Sequence, residues 1–382
     1  MIVWLVTGAI VPAALVAAAA AAGVRRGAPG WGLVDEPGHR KVHVRTTPLG
    51  GGIAIWLGVV VPMAAGQLLL WLVARAALSP GWDWVERIPV PAFVAPHLSG
   101  LWEQSSNLWL LLAAGTVLMA LGLADDLWGL AWRPRLAVQL AVASLVVWRG
   151  FQLTMFVDIP WLTAVVSVLW IVALINSFNM LDNMDGLSAG VAAIASAMLA
   201  AVLLSTPDPA TSQPQLFVAG FLLVLVGSLL GFLWHNRPPA RIFMGDAGSY
   251  FIGFYVAVAT IMATFSGGDL PRHSILAPLC VMAVPLYDMA SVILIRLRQG
   301  RSPFEADKNH FSHRLVDLGM TKVQAVLTIY LMTATCGLSA LLLHQVDAAG
   351  AVIIVLLVTC VLLLVGILET TVRSAQNQRP RP

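Results

Sequence analysis

Long apolar runs recur along almost the whole chain and are separated by short polar segments. A membrane-spanning helix needs about 20 mostly apolar residues, because the hydrocarbon core of a bilayer is about 30 Å thick. The pattern predicts an all-α polytopic membrane protein of about 11 transmembrane helices. The predicted spans are 2–23, 51–74, 107–124, 136–149, 161–178, 186–205, 215–234, 248–266, 275–295, 322–343 and 349–368.

Composition supports the same class. Hydrophobic residues make up 59% of the chain and charged residues 11%, with a mean hydropathy of +0.84, whereas soluble domains carry about 25% charged residues. The basic residues are dispersed through loops, which disfavours nucleic-acid binding. Cys280, Cys336 and Cys360 lie in apolar runs without paired or metal-ligand spacing, so neither a disulfide framework nor a zinc site is indicated.

The distribution of Lys and Arg predicts the orientation. With the N-terminus outside, 18 of the 22 basic residues fall in inner loops or in the C-terminal tail, as the positive-inside rule requires. An odd number of spans then leaves the C-terminus in the cytoplasm. Arg25 and Arg26 follow the first apolar run, which favours a retained span over a signal peptide. We expect one transmembrane catalytic domain, 1–370, and a disordered cytoplasmic tail, 371–382.

Five polar segments fall on the predicted inner side. The first contains Lys41 and His43 and precedes the glycines 50–52. Cationic side chains beside a Gly-rich helix entrance can bind phosphate, although a positively charged inner loop explains the same residues. Asp125 and Asp126 end the third predicted span. Ionisable groups at membrane depth are costly and are functional by default, and a pair of solvated interfacial acids is the alternative.

The third segment carries two amides and two carboxylates at intervals of three residues: Asn176, Asn179, Asp182 and Asp185. This spacing predicts one broad polar face of a helical turn. Hydrogen bonds between neighbouring helices are the structural alternative. In the fourth segment, Asp246 is flanked by glycines at the start of a span, which suits a metal that bridges to phosphates.

The fifth segment is basic and contains two histidines three residues apart. Cysteine is absent nearby, as is a third histidine, so contact with phosphate or nucleotide fits better than zinc. The candidate contacts are Arg301, His310, His313 and Arg314. Several carboxylates facing phosphate substrates would repel them unless a divalent cation intervened. Mg²⁺ suits this role because it uses one or two carboxylates together with phosphates and water.

From about residue 33 to 320 the chain resembles the polyprenyl-phosphate N-acetylhexosamine-1-phosphate transferases. The resemblance rests on five motifs in the family's order: 35–43, 125–130, 176–187, 243–249 and the histidine segment 310–313. It implies Mg²⁺, with Mn²⁺ as a substitute, held by Asp246 and Asp182. It also implies Asp125, Asp126 and Asp182 as catalytic residues. The implied substrate-binding residues are Lys41, His43, Asn176, Asn179, Asp185, Arg301, His310, His313 and Arg314.

Two positions depart from the family pattern. Asn183 stands where the Asp-Gly-x-Asp-Gly motif has glycine, and Ser312 stands where the His-x-His-His motif has histidine. The Asp-Asp-Leu-Trp-Gly-Leu segment and the interrupted histidine motif look closer to the N-acetylglucosamine-1-phosphate branch than to the muramoyl-pentapeptide branch, which remains the alternative.

The resemblance implies a UDP-N-acetylglucosamine donor, or a related UDP-N-acetylhexosamine, and an undecaprenyl phosphate acceptor. The reaction would release UMP as the first membrane step of a cell-envelope polysaccharide such as lipopolysaccharide or teichoic acid. The expected location is the bacterial inner membrane, with the active site facing the cytoplasm. A homodimer remains open. A proton-coupled transporter is the rival from another class, although transporter sites usually lie near the bilayer midplane at a repeat interface, and no repeat is visible.

Overall fold

The computed structural model describes residues 2–35, 46–78, 98–153, 159–206, 214–263, 271–305 and 309–377. Lys41 and His43 therefore lie outside the described residues. The α-helices in chain order are α1 (Ile2–Gly27), α2 (Gly51–Leu78), α3 (Leu98–Glu103), α4 (Ser105–Trp128), α5 (Trp132–Trp148), α6 (Pro160–Leu181), α7 (Leu187–Ser205), α8 (Leu216–Asn236), α9 (Gly245–Met262), α10 (Ala277–Val281), α11 (Ala283–Arg298), α12 (Phe311–Asp317), α13 (Lys322–Leu342) and α14 (Ala348–Asn377).

Eight helices of the described chain are long and apolar enough to cross a membrane: α1, α2, α4, α6, α7, α8, α13 and α14. A ninth span results if the segments Arg272–Val281 and Ala283–Arg298, which are bent by 66°, count as one. The prediction of a mostly helical polytopic membrane protein is confirmed. Each of the eleven predicted spans overlaps a helix or this bent pair, but α5 has only 17 residues and α9 begins with a polar turn.

The segment before α2 forms a short antiparallel pairing of β1 (Val34–Asp35) with β2 (Thr47–Pro48). Beyond it, the chain entering α2 pairs with the chain entering α9. The backbone N–H of Phe243 donates to Pro48 O at 2.9 Å, and the N–H of Gly51 donates back to Phe243 O at 2.9 Å. These bonds hold the two helix entrances side by side at one end of the bundle.

Helix α9 lies at the centre of the bundle and packs on α4, α6 and α2. Every residue from Ala247 to Ile261 is buried, as expected for a helix that is apolar on all sides. Tyr255 stacks on Phe221 of α8 with ring centroids 3.7 Å apart, and its hydroxyl donates to Phe221 O at 2.9 Å. Among the other long helices, α1 packs on α8 and α2, and α13 packs on α7.

Two glycines allow the first turn of α9 to approach its neighbours closely. A Cβ on Gly52 of α2 would lie 2.2 Å from the backbone nitrogen of Gly248, and a Cβ on Gly122 of α4 would lie 2.3 Å from the carbonyl oxygen of Asp246. Both distances are shorter than any real carbon contact, so only glycine permits this packing. The backbone around Asp246 is therefore fixed against α2 and α4.

At the other end of the chain, α14 continues to Asn377. Residues 371–377 of the predicted tail therefore extend the helix, since the Thr-Val-Arg-Ser-Ala-Gln-Asn sequence contains neither proline nor glycine. Residues 378–382 lie outside the described residues.

Candidate active site

Three helix ends meet at one end of the bundle: the C-termini of α4 and α6 and the N-terminus of α9. Asp126, near the end of α4, accepts the backbone N–H of Asp246 at 2.8 Å and of Ala247 at 3.2 Å. The first N–H groups of a helix lack partners within the helix, and a carboxylate near them is favoured by the helix dipole. Asp126 thus caps α9 from a helix more than 100 residues away, and both of its oxygens are engaged.

Asp125 is buried and held by three donors. Its Oδ1 accepts the N–H of Leu130 at 2.7 Å, and its Oδ2 accepts Arg135 Nη1 and the Tyr250 hydroxyl, the latter at 3.1 Å. Arg135 Nη1 also lies 3.2 Å from the Tyr250 oxygen. A buried carboxylate with charge-assisted partners on both oxygens has a fixed orientation. Asp125 therefore fixes the Arg135 guanidinium as much as Arg135 fixes Asp125.

Asp246 contacts the same guanidinium nitrogen as Asp125. Its Oδ2 is 3.5 Å from Arg135 Nη1, and its Oδ1 accepts Asn179 Nδ2 at 2.6 Å. Asn179 also donates to Ser249 Oγ at 3.1 Å. The side chain of Asp246 is 32% exposed, against 4% for Asp125. Asp246 is therefore the carboxylate of this pair that remains accessible to a ligand.

The prediction that the third motif forms one helical face is wrong beyond Leu181. Helix α6 ends there, and Gly186 adopts a left-handed φ of +75°. Asp, Asn and Gly compete with helical bonding through local hydrogen bonds and turns, which explains the break. Asn176 also turns away from Asn179: it donates to Gln139 of α5 at 2.7 Å and to Val172 O at 2.8 Å.

Asp182 follows the end of α6 and is partly buried, and it lies near the backbone N–H of Gly245, the residue before Asp246. Desolvation raises the pKa of Asp182 to about 7, and the negative charge of Asp126 adds to this rise. A raised carboxylate pKa next to like charges marks a site where negative charge accumulates. A cation would relieve that accumulation.

The turn from Asp182 to Gly186 is anchored to the loop between α8 and α9. Asp185 Oδ2 accepts the N–H of Ala240 at 2.9 Å. Asn236 Oδ1 accepts the N–H of Gly186 at 3.0 Å, while its Nδ2 donates to Ile242 O at 2.9 Å. Both motifs are thus held in one arrangement by side chains that satisfy backbone groups.

The histidine segment is held by α11. Asp288, which is fully buried, accepts His310 Nδ1 at 3.0 Å and the N–H of Phe311 at 2.6 Å. An Nδ1–H donated to Asp288 leaves the His310 Nε2 atom as the second functional nitrogen. The His313 ring lies 6.3 Å from the His310 ring.

The two arginines of this segment bond within it or to α11. Arg314 donates from Nη2 to Ser291 Oγ at 2.8 Å, whereas Arg301 pairs with Glu305 at 2.8 Å on the surface. The segment reaches the aspartate cluster through Ser312, whose hydroxyl donates to Asn183 Oδ1.

The structure thus brings together Asp125, Asp126, Asn179, Asp182 and Asp246. Three residues that contribute to this region were not predicted from the sequence: Arg135, Asn236 and Asp288. Arg135 reads there as an interfacial cation. Asn236 reads as the end of an apolar run. Asp288 gave a usable signal, because it is an ionisable residue inside a predicted span.

The donor set fits Mg²⁺. Within the described ranges, no group of three or more His, Cys, Asp or Glu side chains could hold a metal. Mg²⁺ does not need such a group, since it usually takes one or two carboxylates and completes its shell with water and substrate phosphates. Asp246, which is accessible, and Asp182, which is partly buried at the end of α6, are two carboxylates of the kind that such an ion uses.

Comparison with known proteins gives consistent relatives. Residues 108–264, which contain Asp125, Asp182 and Asp246, match the model of glycosyl transferase family 4. A probable undecaprenyl-phosphate N-acetylglucosaminyl 1-phosphate transferase of Bacillus subtilis is 30% identical over 322 residues, which cover 82% of this chain and 78% of that protein.

Two further relatives carry similar names. A decaprenyl-phosphate N-acetylglucosaminephosphotransferase of Mycobacterium tuberculosis is 32% identical over 385 residues, with coverage of 94% of this chain and 88% of the relative. An undecaprenyl-phosphate alpha-N-acetylglucosaminyl 1-phosphate transferase of Escherichia coli is 28% identical over 329 residues, with coverage of 79% and 74%.

Proposed function

This chain belongs to glycosyl transferase family 4, and from that premise we propose that it transfers N-acetylglucosamine 1-phosphate from UDP-N-acetylglucosamine to undecaprenyl phosphate, releasing UMP. The names of the relatives from three bacteria support the substrate pair. The observation that carries the proposal is the convergence of Asp125, Asp126, Asp182 and Asp246 at one end of the helix bundle, where Arg135 contacts Asp125 and Asp246.

The transfer exchanges one phosphoric anhydride bond for another. An oxygen of the lipid phosphate forms a bond to the phosphorus that carries the sugar, and the bond from that phosphorus to the UMP oxygen breaks. The products are a lipid diphosphate sugar and UMP. A phosphate monoester is already largely ionised at neutral pH, since its second pKa is about 6. Direct attack therefore needs orientation and charge neutralisation more than it needs a strong base.

Arg135 is the residue that we assign to the reacting phosphates. Its guanidinium contacts both Asp125 and Asp246 through Nη1 and is partly exposed, with 27% of the side chain accessible. A planar guanidinium binds phosphate oxygens through two parallel N–H bonds. Asp125, whose two oxygens are both engaged, acts through Arg135 by fixing the direction of its N–H groups. Asp126 acts through α9, because it caps the turn that carries Asp246.

Asp246 and Asp182 are the proposed Mg²⁺ ligands, with Mn²⁺ as a substitute. The bound cation would polarise phosphoryl oxygens and neutralise charge that develops on them. Asn179 supports this arrangement, since its amide donates to Asp246 Oδ1 and leaves the remaining lone pairs of the carboxylate open. Four carboxylates beside an anionic substrate are otherwise electrostatically unfavourable.

The histidine segment is the proposed contact for the nucleotide part of the donor. His310 is oriented by Asp288, and His313 lies one helical turn away on α12. The bond between Ser312 and Asn183 connects this segment to the turn that carries Asp182. A donor held by the histidines would thus present its diphosphate to the aspartate cluster.

We further propose eleven spans, with the N-terminus outside and the active site on the cytoplasmic face of the bacterial inner membrane. The bias of 18 of 22 basic residues toward the loops that carry the motifs and the C-terminal tail supports this orientation. UDP-sugars are cytoplasmic metabolites, so the orientation also suits the proposed donor. Assembly into a homodimer is compatible with this arrangement and is a separate proposal.

The test uses purified protein in liposomes that contain undecaprenyl phosphate. Radiolabelled UDP-N-acetylglucosamine should give labelled lipid and UMP in equal amounts, and only with acceptor and Mg²⁺ present. A donor panel that includes UDP-N-acetylgalactosamine and UDP-N-acetylmuramoyl-pentapeptide tests the branch. UMP release that is independent of the acceptor would refute the transfer. Preferential use of the pentapeptide donor would move the chain to the other branch.

A further inference from the structure

The two positions at which this chain departs from the family pattern contact each other. By the resemblance described above, Asn183 stands where the family motif has glycine and Ser312 where it has histidine, and 129 residues of sequence separate them. The Ser312 hydroxyl nevertheless donates directly to Asn183 Oδ1. Ser312 is 1% exposed and Asn183 is partly buried, so the hydroxyl end of the bond is shielded from water.

Each side of this bond is fixed by a second contact. Asn183 Nδ2 donates to Met180 O at 2.8 Å, which satisfies one of the last carbonyl groups of α6. On the other side, Asp288 holds His310 and the N–H of Phe311, the two residues before Ser312. The Asn183 amide therefore joins the end of α6, and with it the adjacent Asp182, to the start of α12.

Neither family residue suits the partner that this chain provides. Glycine at position 183 has no side-chain acceptor, so the buried Ser312 hydroxyl would lose its partner, which is costly in a desolvated site. Histidine at position 312 is far larger than serine, and Ser312 is buried, so the larger ring would overpack the site. The two departures are thus physically matched, and each makes sense only when the other is present.

We propose that Asn183 and Ser312 form a positioning pair that sets the distance between the Asp182 turn and the histidine segment. In this chain, position 312 then contributes no side chain to the donor, and donor contact falls to His310 and His313. The inference rests on the proposed function in one respect: the distance matters because Asp182 and the histidines bind the same donor.

The experiment is a double-mutant cycle of Asn183→Gly and Ser312→Ala. Both substitutions remove the same hydrogen bond, and alanine avoids overpacking at position 312. Each single variant should raise the donor KM and the Mg²⁺ concentration for half-maximal activity, with a loss in kcat/KM on the order of tenfold and an unchanged acceptor KM. The double variant should be no worse than the more impaired single variant, which corresponds to a coupling of about tenfold.

A second arm tests the match directly. Ser312→His alone should be strongly impaired, and Asn183→Gly/Ser312→His should recover at least about threefold over Ser312→His. The control is Ser228→Ala, which removes another buried hydroxyl bond, from Ser228 Oγ to Ile55 O at 2.7 Å, between α8 and α2. This control should lower the thermal midpoint and leave the donor KM and the Mg²⁺ requirement unchanged.

The cycle is also run on the thermal midpoint of the purified protein, which needs no substrate. If the kinetic losses of the two single variants multiply in the double variant, and their losses in thermal midpoint add, the two residues are independent and the proposed pair is refuted. If the wild-type protein uses no UDP-sugar, the proposed function fails and the thermal cycle alone decides the coupling. If the wild-type protein is active and Ser228→Ala raises the donor KM as much as Ser312→Ala does, the positioning role is refuted while the proposed function stands.

Discussion

Replacing Gly122 by alanine tests whether the close approach of α4 and α9 positions the aspartates. The added Cβ would lie 2.3 Å from the carbonyl oxygen of Asp246 and 2.4 Å from the nitrogen of Ala247, whereas ordinary contact begins at 3.4 Å. Because both obstacles are backbone atoms, no side-chain rotation relieves the contact. The two helices must separate by roughly 1 Å, since packed interiors have no spare volume.

This separation moves Asp246 away from Asp125 and Asp126, which lie one turn further along α4. A displacement of about 1 Å can lower a rate by about 100-fold, which corresponds to about 2.7 kcal/mol in the activation barrier. Overpacking also lowers the free energy of unfolding by about 1–3 kcal/mol. Alanine offsets part of that loss, because it favours a helix over glycine by about 1 kcal/mol.

The assay measures kcat for UMP release in liposomes, together with the thermal midpoint. Gly66→Ala on α2 is the neutral control, since its Cβ would have nothing within 4 Å. Gly115→Ala, on α4 itself, should have an intermediate effect, because its Cβ would meet only side-chain atoms, the Phe251 ring at 3.0 Å and the Phe254 ring at 3.5 Å. A folded Gly122→Ala variant with kcat within about twofold of wild type would refute the argument that this contact aligns the site.

Three further predictions follow from the same cluster and its surroundings. Asp246→Asn should raise the Mg²⁺ concentration for half-maximal activity by on the order of tenfold or more. Asp125→Asn should lower kcat and leave that Mg²⁺ concentration unchanged. Mg²⁺ titrations in which only Asp125→Asn shifts the requirement would reverse the two roles. Asp288→Asn should raise the donor KM by about tenfold because it removes the charge that orients His310, and an unchanged KM in folded protein would contradict this. In a variant whose three native cysteines have been replaced, Ala240→Cys should not be labelled by an impermeant thiol reagent applied outside intact cells. Efficient labelling would refute the proposed orientation.

The hydrophobic pattern was sufficient to locate the long helices, because a helix that crosses a membrane needs a continuous apolar run of about 20 residues. It could not decide which helix would be central. Helix α9 has a polar first turn that weakens its span signal, yet it is the helix buried on all sides. That position depends on contacts with helices far away in sequence, made possible by glycines such as Gly52 and Gly122.

Within the site, the motif spacing identified the carboxylates but not their partners. Asp126 could be recognised as unusual in a span, yet its role as a cap for α9 depends on a helix that begins 119 residues later. The periodicity of the third motif was misleading, because Asp182 and Asn183 end α6 instead of extending its polar face. The assignments of Asn176, Arg301 and the histidines to substrate stay predictions.

The central position of α9 also has a consequence for biosynthesis. The helices that pack most extensively on it, α2, α4 and α6, all precede it in the chain. When α9 leaves the ribosome, these three helices have already been made. Its polar first turn can therefore enter the bilayer against protein and not against lipid. The carboxylates are then assembled before α10 is translated. The histidine segment arrives only afterwards, so a chain that terminates early would carry the aspartate cluster without the residues proposed to select its donor.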